Sequence, residues 1–217
     1  MDSGVFYDIK VQAFNVVGGS IHSGVLRTVA ATEPDTPVAP SMLSQSSTAI
    51  SIEWTPPSDG GTPITSYTVY MKTAGDTTYQ EIGTTTAGTT QFTKADLTSP
   101  GTEFDFVISA TNEAGSSEQS SPSRIRAADP PDTPDTPVEL SADSTTILLS
   151  WTSPTDGYSS IEGFRLYWNG GGGGSLLATP VVDTEDPLVL THSFESLTPG
   201  ERYTFAVAAY NDIGESE

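Results

Sequence analysis

Phe-Asp-Phe-Val-Ile-Ser-Ala-Thr-Asn-Glu-Ala-Gly runs from Phe104 to Gly115. The same pattern is written as Tyr-Asp-Ile-Lys-Val-Gln-Ala-Phe-Asn-Val-Val-Gly from Tyr7 to Gly18 and as Tyr-Thr-Phe-Ala-Val-Ala-Ala-Tyr-Asn-Asp-Ile-Gly from Tyr203 to Gly214. The copies begin 97 and 99 residues apart, the length of a whole small domain rather than of a solenoid repeat. Phe104, Phe106, Ile108 and Ala110 fall on one face and Asp105, Val107, Ser109 and Thr111 on the other. Tyr203, Phe205, Val207 and Ala209, and Tyr7, Ile9, Val11 and Ala13, repeat the first set. This period of two predicts a strand buried on one face. Asn112 and Gly115, Asn211 and Gly214, and Asn15 and Gly18 are residues that tolerate positive φ, and they predict a hairpin into a following strand.

Working outward from the central copy, residues 37–128 read as seven strands. These are Ser41–Gln45, Thr48–Trp54, Ile64–Lys72, Thr78–Thr84, Thr89–Ala95, the strand from Phe104, and Gln119–Arg126. Seven strands in about 90 residues is the size of a two-sheet sandwich. The third unit repeats the second at an offset of 97: Ile147, Leu149 and Trp151 answer to Ile50, Ile52 and Trp54, and Phe164, Leu166 and Trp168 to Tyr67, Val69 and Met71. Residues 1–30 supply only two strands, Val5–Phe14 and Ser20–Ala30, whose apolar face has no partner within the segment. Both ends of the chain are therefore expected to be cut inside domains. Glu33–Pro40 and Asp129–Pro137 are proline-rich linkers, stiff because proline fixes φ and donates no hydrogen bond.

A Trp closing the second strand, an alternating third strand with Tyr67, and Leu-Thr-Pro-Gly-Glu-Arg-Tyr from Leu197 to Tyr203 resemble the fibronectin type III domain. The resemblance implies an all-β chain of tandem seven-stranded immunoglobulin-like sandwiches, the terminal ones incomplete. Residues 1–32 would be the last two strands of one domain, 37–128 a complete domain, and 134–217 a domain lacking its last strand. The implied structural core is Trp54, Tyr67, Leu97, Phe104, Trp151, Phe164, Leu197 and Tyr203. In that family Leu197 and Tyr203 would form a tyrosine corner, the hydroxyl bonding to nearby backbone. The second domain has Phe104 at that position and one extra residue before it, so Phe104 is expected to contribute packing alone.

Little in the sequence points to chemistry. There is no cysteine, hence no disulfide framework or thiolate metal site. His22 and His192 are the only histidines and fall in different domains, whereas a triad or a zinc site needs converging groups. Gly170–Gly174 is followed by neither Lys-Ser nor Lys-Thr, so it reads as a flexible hairpin loop rather than a phosphate cradle. Glu33, Asp35, Asp129, Asp132 and Asp135 cluster at the linkers and are candidates for weak calcium sites, although they lack the Asp/Asn loop with Gly that a strong site shows. No catalytic, cofactor-binding or metal-binding residue is assigned, and no cofactor or small-molecule substrate is expected. With a formal charge of −20, from 8 basic and 28 acidic residues, the chain is expected to repel nucleic acid and anionic lipid, since basic patches bind both. The apolar runs are too short to span a bilayer, and residues 1–20 lack the pattern of a signal peptide.

The expected role is a non-catalytic structural or adhesive spacer of a large cell-surface or extracellular filament protein. Its partners would be other protein domains, including further copies of itself in a filament. Two alternatives stand beside this: an accessory region of a secreted polysaccharide-degrading enzyme, and an intracellular scaffold of muscle or cilium type. There is no Arg-Gly-Asp and no Asn-x-Ser/Thr acceptor. Phe14, Tyr70, Tyr167 and Tyr210 point outward and are the candidate partner anchors.

Overall fold

A computed structural model describes residues 4–217. The described residues form antiparallel strands and no helix, and accordingly none long and apolar enough to cross a membrane. They fall into two compact units, the first built on β1–β11 and the second on β12–β17. The opening segment contains β1 (Phe6–Ile9), β2 (Phe14–Asn15), β3 (Gly18–Gly19) and β4 (Leu26–Val29). There β1 pairs with β4, and β2 with β3 across the Asn15 turn. Phe6, Val11 and Phe14 are exposed.

A seven-stranded sandwich follows: β5 (Ser41–Gln45), β6 (Ile50–Glu53), β7 (Ser66–Thr73), β8 (Gln80–Thr86), β9 (Gln91–Lys94), β10 (Glu103–Thr111) and β11 (Ser123–Arg126). One sheet has the order β5-β6-β9 and the other β11-β10-β7-β8. The last unit has β12 (Val138–Ala142), β13 (Ile147–Ser150), β14 (Gly163–Trp168), β15 (Val182–Asp183), β16 (Thr191–Phe194) and β17 (Phe205–Tyr210). Its sheets are β12-β13-β16 and β15-β14-β17. The inward residues of facing sheets meet as the alternation requires. Trp54 sets its indole edge on Tyr67 at 5.4 Å, and Trp151 does the same on Phe164 at 5.8 Å.

Two expectations are corrected. First, β10 is buried on both faces, because Asp105, Val107 and Ser109, placed outward by the alternation, are all buried. β10 lies inside a four-stranded sheet, where Asp105 stands opposite Lys72, Val107 opposite Tyr70 and Ser109 opposite Thr68. Lys72 and Arg124 on the two neighbouring strands bring their cations to Asp105. Second, beyond the two-residue β3 the longer strands after the Asn turns begin later than the hairpin reading places them, at Leu26 rather than Ser20 and at Ser123 rather than Gln119. Serine hydroxyls are the reason. The amides of Ile108 and Ala110 donate to Ser120 Oγ (3.1 Å) and Ser117 Oγ (3.0 Å). Those of Val11 and Ala13 donate to Ser23 Oγ (3.0 Å) and Ser20 Oγ (3.2 Å), and that of Ala209 to Ser216 Oγ (3.1 Å). A side chain thus stands in for the backbone partner over the first turn of pairing, and regular strand starts only beyond it. The same serine contacts interrupt the Val5–Phe14 reading, leaving β1 and β2 as separate strands.

The Gly170–Gly174 loop has a defined path. Gly170, Gly171, Gly172 and Gly173 all have φ between 70° and 92°, a run that residues with a Cβ do not take up. Asn169 fastens the loop: its Oδ1 accepts from the amides of Gly171 and Thr204, both at 3.1 Å.

Candidate functional site

The side chains that converge in each sandwich do so where the preceding linker meets the domain. In the first unit Asn112, at the end of β10, is buried. Its Oδ1 accepts from the amides of Ala114 (2.8 Å) and Gly115 (3.1 Å), closing the turn. Its Nδ2 donates to the carbonyls of Thr32 (2.8 Å) and Asp59 (2.7 Å). One amide group therefore ties the linker to the loop between β6 and β7 and to the turn after β10. Asn211 repeats this, donating to the carbonyls of Asp129 (3.0 Å), Asp156 (2.9 Å) and Ser159 (3.1 Å) and accepting from Ile213 and Gly214. Asn15 closes its own turn through the amides of Val17 (2.8 Å) and Gly18 (3.1 Å).

The linker backbone is held from a second side. The amides of Thr32 and Asp35 donate to the carbonyls of Gly60 (2.9 Å) and Ser58 (3.0 Å), and those of Asp129 and Asp132 to Gly157 (2.7 Å) and Thr155 (3.0 Å). Gly60 and Gly157 have positive φ, and a Cβ on either would lie 2.4 Å from Thr32 O or 2.3 Å from Asp129 O. Glycine is required there for both conformation and space. Burial along the linkers has a period of three. Pro34, Pro37 and Pro40 are buried with exposed pairs between them, and so are Pro131 and Pro134. Three residues per turn is the repeat of a polyproline II helix, so one proline edge is seated and two edges face solvent.

The linker acids do not gather round a cation, and among the described residues no three His, Cys, Asp or Glu side chains form a metal-binding group. Asp132 instead accepts a hydrogen bond from Thr155 Oγ1. His22 is exposed. His192 is half-buried with its ring edge on Phe194 at 4.8 Å, and burial lowers its pKa.

Each sandwich carries a different ionic group on its outer sheet. In the first unit Arg124 donates to both oxygens of buried Asp105, at 2.8 and 3.1 Å, and Lys72 approaches to 3.6 Å. The hydrogen bond from Arg124 is the main cause holding the Asp105 carboxyl below its ordinary value of 3.8, with the charges of Arg124 and Lys72 adding to it against the opposing effect of burial. A carboxylate whose pKa is lower folded than unfolded stabilises the fold above the unfolded value, and that contribution is lost as pH falls through the folded value. The melting temperature of this domain should therefore decline as pH drops below about 4, and Asp105→Asn should flatten that decline. Calorimetry across that range checks this.

In the last unit Arg165 bridges Asp183 (3.0 Å) and Glu215 (2.6 Å) and lies 4.3 Å over the Tyr210 ring. Tyr167 donates to Glu215 and Tyr210 to Asp183. Burial first, and then these carboxylates, push both phenols up to about 12. Two of the four outward aromatics are thus engaged within their own sheet. Tyr70 is half-buried, and Phe14 is 75% exposed.

Of the eight residues assigned to the core, Trp54, Tyr67, Leu97, Phe104, Trp151, Phe164 and Leu197 are buried. Tyr203 is half-buried, its ring stacked on Trp168 at 5.7 Å. The Tyr203 hydroxyl accepts from the Thr198 amide at 2.8 Å, which is the corner contact, and Phe104 has no hydroxyl to offer one. Tyr203→Phe removes a single hydrogen bond and should cost the last domain about 1 kcal/mol. For a domain of this size that lowers the melting temperature by roughly 4–8 °C, measurable as a shift of one calorimetric transition.

Two facing antiparallel sheets clamped by an indole define an immunoglobulin-like sandwich. More narrowly, the chain belongs to the fibronectin type III family, whose domain model matches residues 35–126 and 129–217. The chain is 28% identical over 173 residues, 78% of its length, to the netrin receptor DCC of Rattus norvegicus, and 27% identical over 234 residues, 99% of its length, to the striated-muscle M-protein of Gallus gallus. It spans 11% and 15% of those two proteins. The crystal structure of the chicken CNTN1 FN1-FN3 domains matches 99% of the chain and 75% of its own length, with a TM-score of 0.57 and 23% identity, a likeness of fold. Fibronectin type III domains of such receptors and scaffolds are protein-interaction modules, and nothing positive marks this chain as an enzyme.

Proposed function

We propose that these domains are non-catalytic spacer and contact modules of a large cell-surface or extracellular protein, divided as 1–32, 37–128 and 134–217, with Met1–Ser3 lying outside the described residues. The observation that carries this is the linker clasp. Each sandwich uses a buried asparagine, Asn112 or Asn211, to secure the polypeptide leading into it. A module whose role is to set separation needs such a joint, whereas an enzyme needs polar groups converging on a cleft. The −20 charge supports solubility at high local density and disfavours nucleic acid and anionic lipid. A second reading, an intracellular scaffold, draws on the similarity to striated-muscle M-protein.

The test is an exchange within the full-length protein. Deleting residues 32–217 should impair attachment of the cell or filament that bears it, and two unrelated sandwich domains of equal length inserted in their place should restore it. Deletion without effect, or exchange without rescue, would sink the spacer role. An antibody against this segment separates the two locations: staining of intact cells places it outside, and staining only after permeabilisation places it inside.

A further inference from the structure

We propose that Thr36, Thr133 and Thr136 are acceptors for O-linked sugar. Each lies in the sequence Asp-Thr-Pro, at Asp35-Thr36-Pro37, Asp132-Thr133-Pro134 and Asp135-Thr136-Pro137. All three threonines are exposed, while Pro37 and Pro134 beside them are buried. The seated proline edge therefore turns these hydroxyls towards solvent on a backbone that is already extended and, at Asp35 and Asp132, pinned by hydrogen bonds. A transferase reads its acceptor as an extended segment. The many threonines within strands can be presented that way only by breaking a sheet ladder, and these three need no unfolding.

The transfer would proceed by attack of Thr Oγ on the anomeric carbon of a phosphate-activated sugar. The new C–O bond replaces the bond to phosphate, the phosphate group leaves with its carrier, and the hydroxyl proton passes to a base of the transferase. Charge selects sugar over phosphate as the modification. Each threonine directly follows an aspartate, and no Lys or Arg occurs between Arg27 and Lys72 or between Arg126 and Arg165. A phosphoryl group would add about −1.5 to −2 beside a carboxylate with no cation in either linker to receive it, whereas a hexose adds no charge.

The experiment expresses the whole chain in a eukaryotic host in two forms, one secreted and one retained in the cytosol, and maps it by intact mass and peptide fragmentation. Hexose or N-acetylhexosamine increments on the peptides carrying Thr36 and Thr133/Thr136 are expected in one arm, and the arm identifies the donor pathway. Thr36→Val with Thr133→Val and Thr136→Val should abolish them, with an unchanged melting temperature confirming that these variants fold. An unmodified chain in both arms, sugar confined to other residues, or phosphate at these threonines would overturn the assignment.

Discussion

Trp54→Ala is expected to destabilise the β5–β11 sandwich selectively. The indole is buried and meets Tyr67 edge-on between the two sheets. Truncating a buried Trp removes the transfer free energy of the ring and leaves a cavity, together about 3–5 kcal/mol. At roughly 4–8 °C per kcal/mol for a domain of this size, the transition should fall by about 12–40 °C, a loss of about a third to a half of a mid-range domain stability of about 10 kcal/mol. The last domain has its own indole, Trp151, packed in a separate cluster with Phe164, Leu166 and Phe194. Calorimetry of Trp54→Ala should therefore show one transition displaced and one retained, and Trp151→Ala should show the converse. Equal displacement of both transitions by either variant would mean that the sandwiches do not fold as separate units.

Asn112→Ala is the second large effect. It takes two donors from the carbonyls of Thr32 and Asp59 and one acceptor from the amides of Ala114 and Gly115. Leaving a buried polar partner unmet costs about 1–3 kcal/mol. Because linker residues near the surface can recover water, a total of about 2–4 kcal/mol is expected. The more telling readout is local. Amide exchange at Thr32 and Asp35, whose N–H groups bond Gly60 and Ser58, should accelerate beyond what the global loss predicts. Gly60→Ala should reproduce this by pushing Thr32 away while leaving the Asn112 turn closed. If Thr32 and Asp35 exchange at the global rate in both variants, the asparagine serves the turn and not the linker.

The architecture was legible because it rests on periodicity. The indoles, the alternation of Phe104–Ala110 and the 97-residue offset all report side chains facing a core, and a core imposes its spacing on sequence. What stayed hidden depended on neighbours in space. Asp105 reads as an outward residue because its own strand alternates, and only the placement of Lys72 and Arg124 on flanking strands buries it. Asn112 and Asn211 were legible as turn residues from the positive φ that Asn tolerates, yet neither adopts one and each closes its turn through Oδ1; the partners of Nδ2 lie about 50 to 80 positions away. Some of the signal was present and unread. Ser20, Ser117 and Ser216 recur at matching positions, as do Ser23 and Ser120, and prolines recur every third residue at 34, 37 and 40 and at 131, 134 and 137.

The clasp also sets an order of events during synthesis. A ribosome delivers Thr32 eighty residues before Asn112, and Asp129 eighty-two before Asn211. Chains emerge N-terminus first at about 5–20 residues per second, so each tether stays loose for on the order of 4–16 s after it leaves the exit tunnel. Only when the strand that ends in that asparagine arrives can the joint lock, and by then the strands of the sandwich that precede it are already outside. A nascent polypeptide halted before Asn112 would thus carry a largely assembled bead on a slack string.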